Sequence, residues 1–119
     1  MKKVSVFMFI FALGALFTLG SAADDKSAGR DEGQILYNKK CAICHSKSGK
    51  AKKSAKGSGD FNDPGWQAVA TLEQIIKETT EGRGKMMGYG KKLTPEQIEM
   101  IAVYVKSLGS ESAEGSAVE

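Results

Sequence analysis

Cys41, Cys44 and His45 share one short stretch, CAICH, and they are both cysteines and the single histidine of a 119-residue chain. Two thiols at this spacing can add across the two vinyl groups of a haem, and the imidazole beside them then reaches the iron. C-x-x-C-H therefore reads as a c-type haem attachment site. Other chemistries fit less well. A structural zinc site takes four Cys or His ligands, more than this chain owns. A thioredoxin-type dithiol sits beside a βαβ pattern, which the sequence lacks. A disulfide between the two cysteines closes too short a loop to constrain much chain, and it leaves His45 without a role.

An iron bound by one histidine has a second axial face. A thioether there favours Fe(II) and raises the reduction potential, whereas an open face admits small ligands. Beyond the N-terminal apolar segment the methionines are Met86, Met87 and Met100. Met100 falls inside a helical pattern and reads as core. Met86 and Met87 lie in EGRGKMMGYGKKLT, a loop whose glycines permit the tight turns that fold a side chain back over a haem face.

Three helical patterns position these residues, and no strand pattern stands out. The first spans Ala28 to Lys40, with Gly33, Tyr37 and Cys41 four apart on one face. A glycine inside a helix costs roughly 1 kcal/mol relative to alanine, so Gly33 reads as a place where another helix approaches closely. The second begins at the N-cap Thr71, carries Leu72, Ile75, Ile76 and Thr79 on one side, and ends at Gly82 and Gly84. The third has Thr94 as N-cap, Pro95 at its first position, Gln97 in a capping box and Gly109 just past its end. Its stripe of Ile98, Ile101, Val105 and Leu108, flanked by Tyr104, is packing surface. Ser46 to Gly65 is a long Gly/Ser/Lys loop, and a loop of that length in a small domain is wrapped around something or mobile.

The chain opens with Lys2, Lys3, an apolar run from Val4 to Leu19 and the small residues Ser21, Ala22 and Ala23. That is the layout of a secretory signal peptide over 1–23, and the apolar run falls short of the roughly 20 residues of a spanning helix. Cleavage after Ala23 predicts an exported, soluble, periplasmic chain with no stable membrane insertion. It leaves a domain over 24–109 and an unpatterned, disordered tail over 110–119. Loss of Lys2 and Lys3 lowers the basic residues from 17 to 15 against 14 acidic ones, so the mature charge is near +1. That balance is too even for a nucleic-acid binder. So small a core gains from a disulfide, metal or cofactor.

The succession GQILYNKKCAICH, GKMMGYGKKLT and EMIAVYVKSL resembles class I monohaem cytochrome c, the small soluble bacterial kind, over most of Arg30 to Leu108. Gly33 and Tyr37 match the family's Gly-x-x-x-aromatic helix before C-x-x-C-H. Met86, Tyr89 and Gly90 match its Met-Pro-x-Phe/Tyr-Gly loop, and Tyr104 matches the aromatic of a final helix that crosses the first. The resemblance implies an all-α fold of three main helices wrapped around one covalent haem c. It implies thioethers at Cys41 and Cys44, His45 as proximal iron ligand and Met86 as distal ligand. Met87 stands where the family has proline and is the alternative ligand. In the family a proline carbonyl soon after the motif accepts the histidine's other ring proton, and Pro64 is the candidate for that role in this chain. Trp66 fits either a haem-pocket lining or a core position.

The implied function is one-electron transport without a chemical substrate. A haem subunit of an oxidoreductase, or a ligand sensor with an open sixth position, is the alternative, and a haem-free disulfide protein a third. Lys39, Lys40, Lys47, Lys50, Lys52, Lys53 and Lys56 surround the motif, and Lys85, Lys91 and Lys92 flank the methionine loop. They either steer an acidic redox partner to the haem edge or simply keep a loop solvated.

Overall fold

The computed structural model describes residues 22–115, with side chains from 26 to 111. Helix α1 spans Ala22–Lys40 and is followed by a one-turn helix, α2, over Ala42–His45. A 3₁₀ turn at Lys53–Ala55 leads to α3 (Pro64–Val69), α4 (Leu72–Glu81), a minimal hairpin of β1 (Gly82–Arg83) and β2 (Met86–Met87), and α5 (Pro95–Gly115). The architecture is all-α, as expected. The segment 1–23 lies outside the described residues except for Ala22 and Ala23, with which α1 begins.

Two helix starts follow the sequence closely. Thr71 Oγ1 accepts from the Gln74 amide at 3.1 Å. At α5, Thr94 Oγ1 accepts from the Gln97 amide at 3.2 Å while Gln97 Oε1 accepts from the Thr94 amide at 3.0 Å. This reciprocal box satisfies two amides that the helix cannot. The far end of α5 differs from expectation. It runs through Gly109 to Gly115, so Ser110 to Gly115 extend the helix rather than form an unpatterned tail. At Gly109 the backbone stays helical, and the missing side chain instead makes room for Gln67, whose Cδ would lie 2.9 Å from a Cβ there. The long loop also closes earlier than expected, because Asp63 Oδ1 accepts from the Trp66 amide at 2.8 Å and Pro64 occupies the first turn of α3.

The core lies between α1 and α5, the most extensive helix pairing, with α4 packed on α5. Tyr37, Ile98, Ile101, Ala102, Tyr104, Val105 and Leu108 are all at most 4 % exposed, so the apolar stripe read from α5 is the packing surface. Met100 is half-buried on the same helix, and its carbonyl meets α1 at Gly33. A Cβ on Gly33 would lie 2.6 Å from the Met100 carbonyl carbon and 3.1 Å from Tyr104 Cβ. Both neighbours are fixed by helix backbone, so neither can yield. Gly33→Ala is expected to lower stability by about 2 kcal/mol, as overpacking does, read as a lower urea midpoint with an unchanged slope.

Candidate functional site

Gly33 and Tyr37 share one face of α1, and Cys41, just past its end with its amide on the Tyr37 carbonyl at 2.8 Å, continues the same spacing. The crossing point, a core ring and a thiol thus follow in succession. Tyr37 is fully buried and meets Tyr104 edge-on, ring centroids 5.2 Å apart. Its hydroxyl donates to the carbonyls of Ser46 at 2.9 Å and His45 at 3.3 Å. The chain therefore turns back at the motif under the control of a side chain two turns earlier. Ser46 holds a positive φ of 55°, a costly conformation for a non-glycine residue. Its carbonyl bond from Tyr37 and the bond from its own Oγ to the Lys50 carbonyl (2.8 Å) offset that cost. Burial pushes the Tyr37 hydroxyl well above its ordinary pKa, so it stays a neutral donor.

Cys41 and Cys44 are half-buried free thiols, and the Cys44 amide bonds the Cys41 carbonyl at 3.1 Å. Burial first, then the neighbouring Cys44, pushes the Cys41 thiol up to about 11. His45 is 7 % exposed and burial lowers its pKa, which keeps the imidazole neutral and able to bind a metal. Its Nδ1 is buried with no hydrogen-bond partner. A buried orphan nitrogen is rare in a folded protein and marks a site whose partner is a ligand or a special constraint.

The methionine loop is tied to both sides of the fold. The amides of Tyr89 and Gly90 donate to the carbonyls of Thr79 (2.8 Å) and Thr80 (3.0 Å), satisfying the C-terminal turn of α4. In the hairpin Gly82 pairs with Met87 and Arg83 with Met86, and Gly82 holds a φ of +83°. A side chain at Gly82 would meet the Met86 carbonyl at 2.6 Å, so this close turn admits glycine alone. Met86 is half-buried. Met87 is 56 % exposed, with the Lys92 ammonium 3.4 Å from its sulfur. On the other side the Tyr89 hydroxyl donates to the carbonyl of Lys40, the residue before Cys41, at 3.1 Å. Burial first, then the charges of Cys41 and Cys44, raise the Tyr89 pKa.

Pro64 does not accept a bond from His45. It sits at the start of α3, and Trp66 packs on Phe61 (4.7 Å between centroids) at the edge of the core. Two clefts lie away from the motif. One is lined by Lys26, Gly29, Glu96, Glu99, Met100 and Val103, and the other by Ile76, Thr80, Gly90, Leu93, Pro95 and Ile98. The sequence reading missed Phe61, which stacks on His45, Gln67, which holds Phe61, and Lys106, whose ammonium caps the carbonyls of Gln67 in α3 and of Ala70 just past its end at 2.7 and 2.8 Å. None has a local motif to betray it. Only the Asp63-Pro64 cap hints that the loop is ordered nearby.

A helical frame that delivers two thiols and a buried imidazole at the end of its first crossing helix is that of a covalent haem-binding protein. The chain belongs to the cytochrome c family, its residues 28–105 matching the family described as "Cytochrome C oxidase, cbb3-type, subunit III". It is 36% identical to a cytochrome c6 of Gloeothece citriformis over 107 residues, covering 88% of this chain and 93% of that one. It is 31% identical to the cbb3-type cytochrome c oxidase subunit FixP of Azorhizobium caulinodans over 93 residues, 77% of this chain but only 31% of FixP. Among solved structures it resembles the KustC0563 c-type cytochrome at 33% identity and a TM-score of 0.61, covering 64% of this chain and 95% of that one. Covalently bound haem c is the cofactor that this family membership implies. The two free thiols and the buried imidazole of His45 beside them are a donor set that fits that group.

Tyr37→Phe removes the donor to the buried His45 carbonyl and the half-buried Ser46 carbonyl at the turn after the motif. It is expected to cost about 1–3 kcal/mol, seen as a lower thermal midpoint of the haem-loaded protein.

Proposed function

We propose that the protein is a one-electron carrier in which Cys41 and Cys44 hold the haem through thioethers, His45 binds the iron on one side and Met86 on the other. When bound, the haem supplies an Fe(III)/Fe(II) couple. The observation that carries the reading is the bond from Tyr89 to the Lys40 carbonyl. It draws the methionine loop against the attachment motif, although the two residues are 49 positions apart. Met86 is favoured over Met87 because Met86 is half-buried, whereas Met87 faces solvent with its sulfur against Lys92. The chain's own work is to fix the thiols and the imidazole on one turn, hold the methionine loop on the carbonyls of α4, and exclude water with Tyr37 and Phe61.

The carrier role accords with the cytochrome c6 relatives, which match over 84–88% of this chain and 86–93% of their own length. The periplasmic location accords with the signal-peptide layout of residues 1–23. Among the described residues no helix is long and apolar enough to cross a membrane. Lys47, Lys50, Lys52, Lys53, Lys56, Lys85, Lys91 and Lys92 are exposed, and among the described residues none is ion-paired. This unpaired positive charge suits an acidic redox partner, whose docking would weaken with salt. The likeness to FixP favours a second reading, a haem subunit of an oxidoreductase, in which the chain would act within a larger assembly.

Ferric protein is expected to show the weak far-red absorption of methionine ligation, lost in Met86→Ala and kept in Met87→Ala. Tight carbon monoxide binding by the unmutated ferrous protein would instead indicate an open sixth position. Failure of the matured protein to stain for haem after denaturing electrophoresis would overturn covalent attachment.

A further inference from the structure

A metal-binding imidazole is normally oriented by a hydrogen bond from its second nitrogen to a carbonyl or carboxylate. In this chain Nδ1 of His45 is buried and has no such partner. The ring lies instead on the ring of Phe61, with centroids 4.6 Å apart and planes 22° from parallel.

Phe61 is itself held from several directions. Its amide donates to the Gly49 carbonyl at 2.9 Å. Its carbonyl accepts from Gln67 Nε2 at 2.5 Å, and the same Nε2 donates to the Val105 carbonyl of α5 at 2.8 Å. Trp66 packs against its ring at 4.7 Å, and Tyr37 approaches it at 6.5 Å with planes 67° apart. Behind it Gly49, at φ +83°, leaves no room for a side chain, since a Cβ would lie 2.9 Å from Phe61 Cβ and 3.0 Å from Leu108 Cδ1. Gln67 in turn occupies the space left by Gly109, and its own Oε1 is buried without a partner. A glutamine kept in place at that cost is one whose two donated bonds matter.

We infer that Phe61, clamped to α5 through Gln67, is the positioning residue that sets the plane of the His45 imidazole in the haem-loaded protein, by stacking in place of a hydrogen bond. The inference rests on His45 binding the iron, as proposed above. Rotation of the ring about its bond to the metal is opposed by the flat face of Phe61, and translation of Phe61 is opposed by the backbone bonds at Gly49 and Gln67. The orientation of the imidazole is thus coupled to α5 and not to the loop that immediately follows the motif.

The plane of an axial imidazole governs how unpaired spin spreads over the haem in the ferric state, so the hyperfine-shifted haem methyl resonances in proton NMR report it. Phe61→Leu, which keeps apolar bulk but removes the flat face, is expected to change their order or spread while the far-red methionine band remains. Phe61→Tyr is expected to keep the unmutated pattern. Gln67→Met, which removes both donated bonds, is expected to shift the pattern in the same sense as Phe61→Leu. In the unmutated ferrous protein, nuclear Overhauser contacts between the ring protons of His45 and Phe61 are expected. Their absence would overturn the inference even if Phe61→Leu failed to mature, and so would an unmutated methyl pattern in a haem-loaded Phe61→Leu protein. A His45→Ala protein that loads haem and keeps an unchanged ferric spectrum would overturn the ligand assignment itself, independently of Phe61.

Discussion

The approach of α1 to α5 at Gly33 governs the rest of the molecule. With backbone against the Met100 carbonyl, the two helices cross at a separation that no side chain at position 33 permits. The crossing fixes the rotation of α1 about its own axis. Because a helix repeats about every four residues on one face, Tyr37 then meets Tyr104 in the core and Cys41 emerges at the end of the same face. Attachment chemistry is thus placed by a packing constraint two turns away from it.

Around that crossing, much of the remaining order comes from backbone hydrogen bonds rather than from a second apolar layer. The segment between α2 and α3 folds back on itself through bonds from Lys52 to Cys44, Phe61 to Gly49, and Ala51 to Asp60. The methionine loop borrows the last carbonyls of α4. A domain of this size buries little surface, so such ties hold the two loops as a shell around the motif, and a covalent cofactor would add the bulk that the core lacks. Lys47, Lys50, Lys52, Lys53, Lys56, Lys85, Lys91 and Lys92 are exposed on these shells, while Lys26, Lys39 and Lys40 on α1 and Lys77 on α4 are exposed on the helical frame.

Much of this was legible from local signals. The caps at Thr71 and Thr94, the stripe on α5, the close-approach glycine and the thiol-imidazole motif each depend on residues within a turn or two of one another. Where the reading went astray, the deciding contact was distant. Gly109 resembled a helix stop, yet it serves Gln67 while α5 continues to Gly115. Pro64 was the nearest proline to the motif, yet it begins a helix and leaves His45 Nδ1 unpaired.

The sequence by itself determined that this is an all-α chain with one covalent attachment motif, because helix periodicity, capping and C-x-x-C-H spacing are short-range properties of residue type. The tertiary structure decided what surrounds the motif. Phe61 against His45, Gln67 bridging to Val105, Tyr89 reaching Lys40 and the unequal burial of Met86 and Met87 all arise where separate segments meet. The bonds from Gln67 and Tyr89 span 38 and 49 residues, and no periodicity records such a meeting, because it exists only after α1, α4 and α5 have packed.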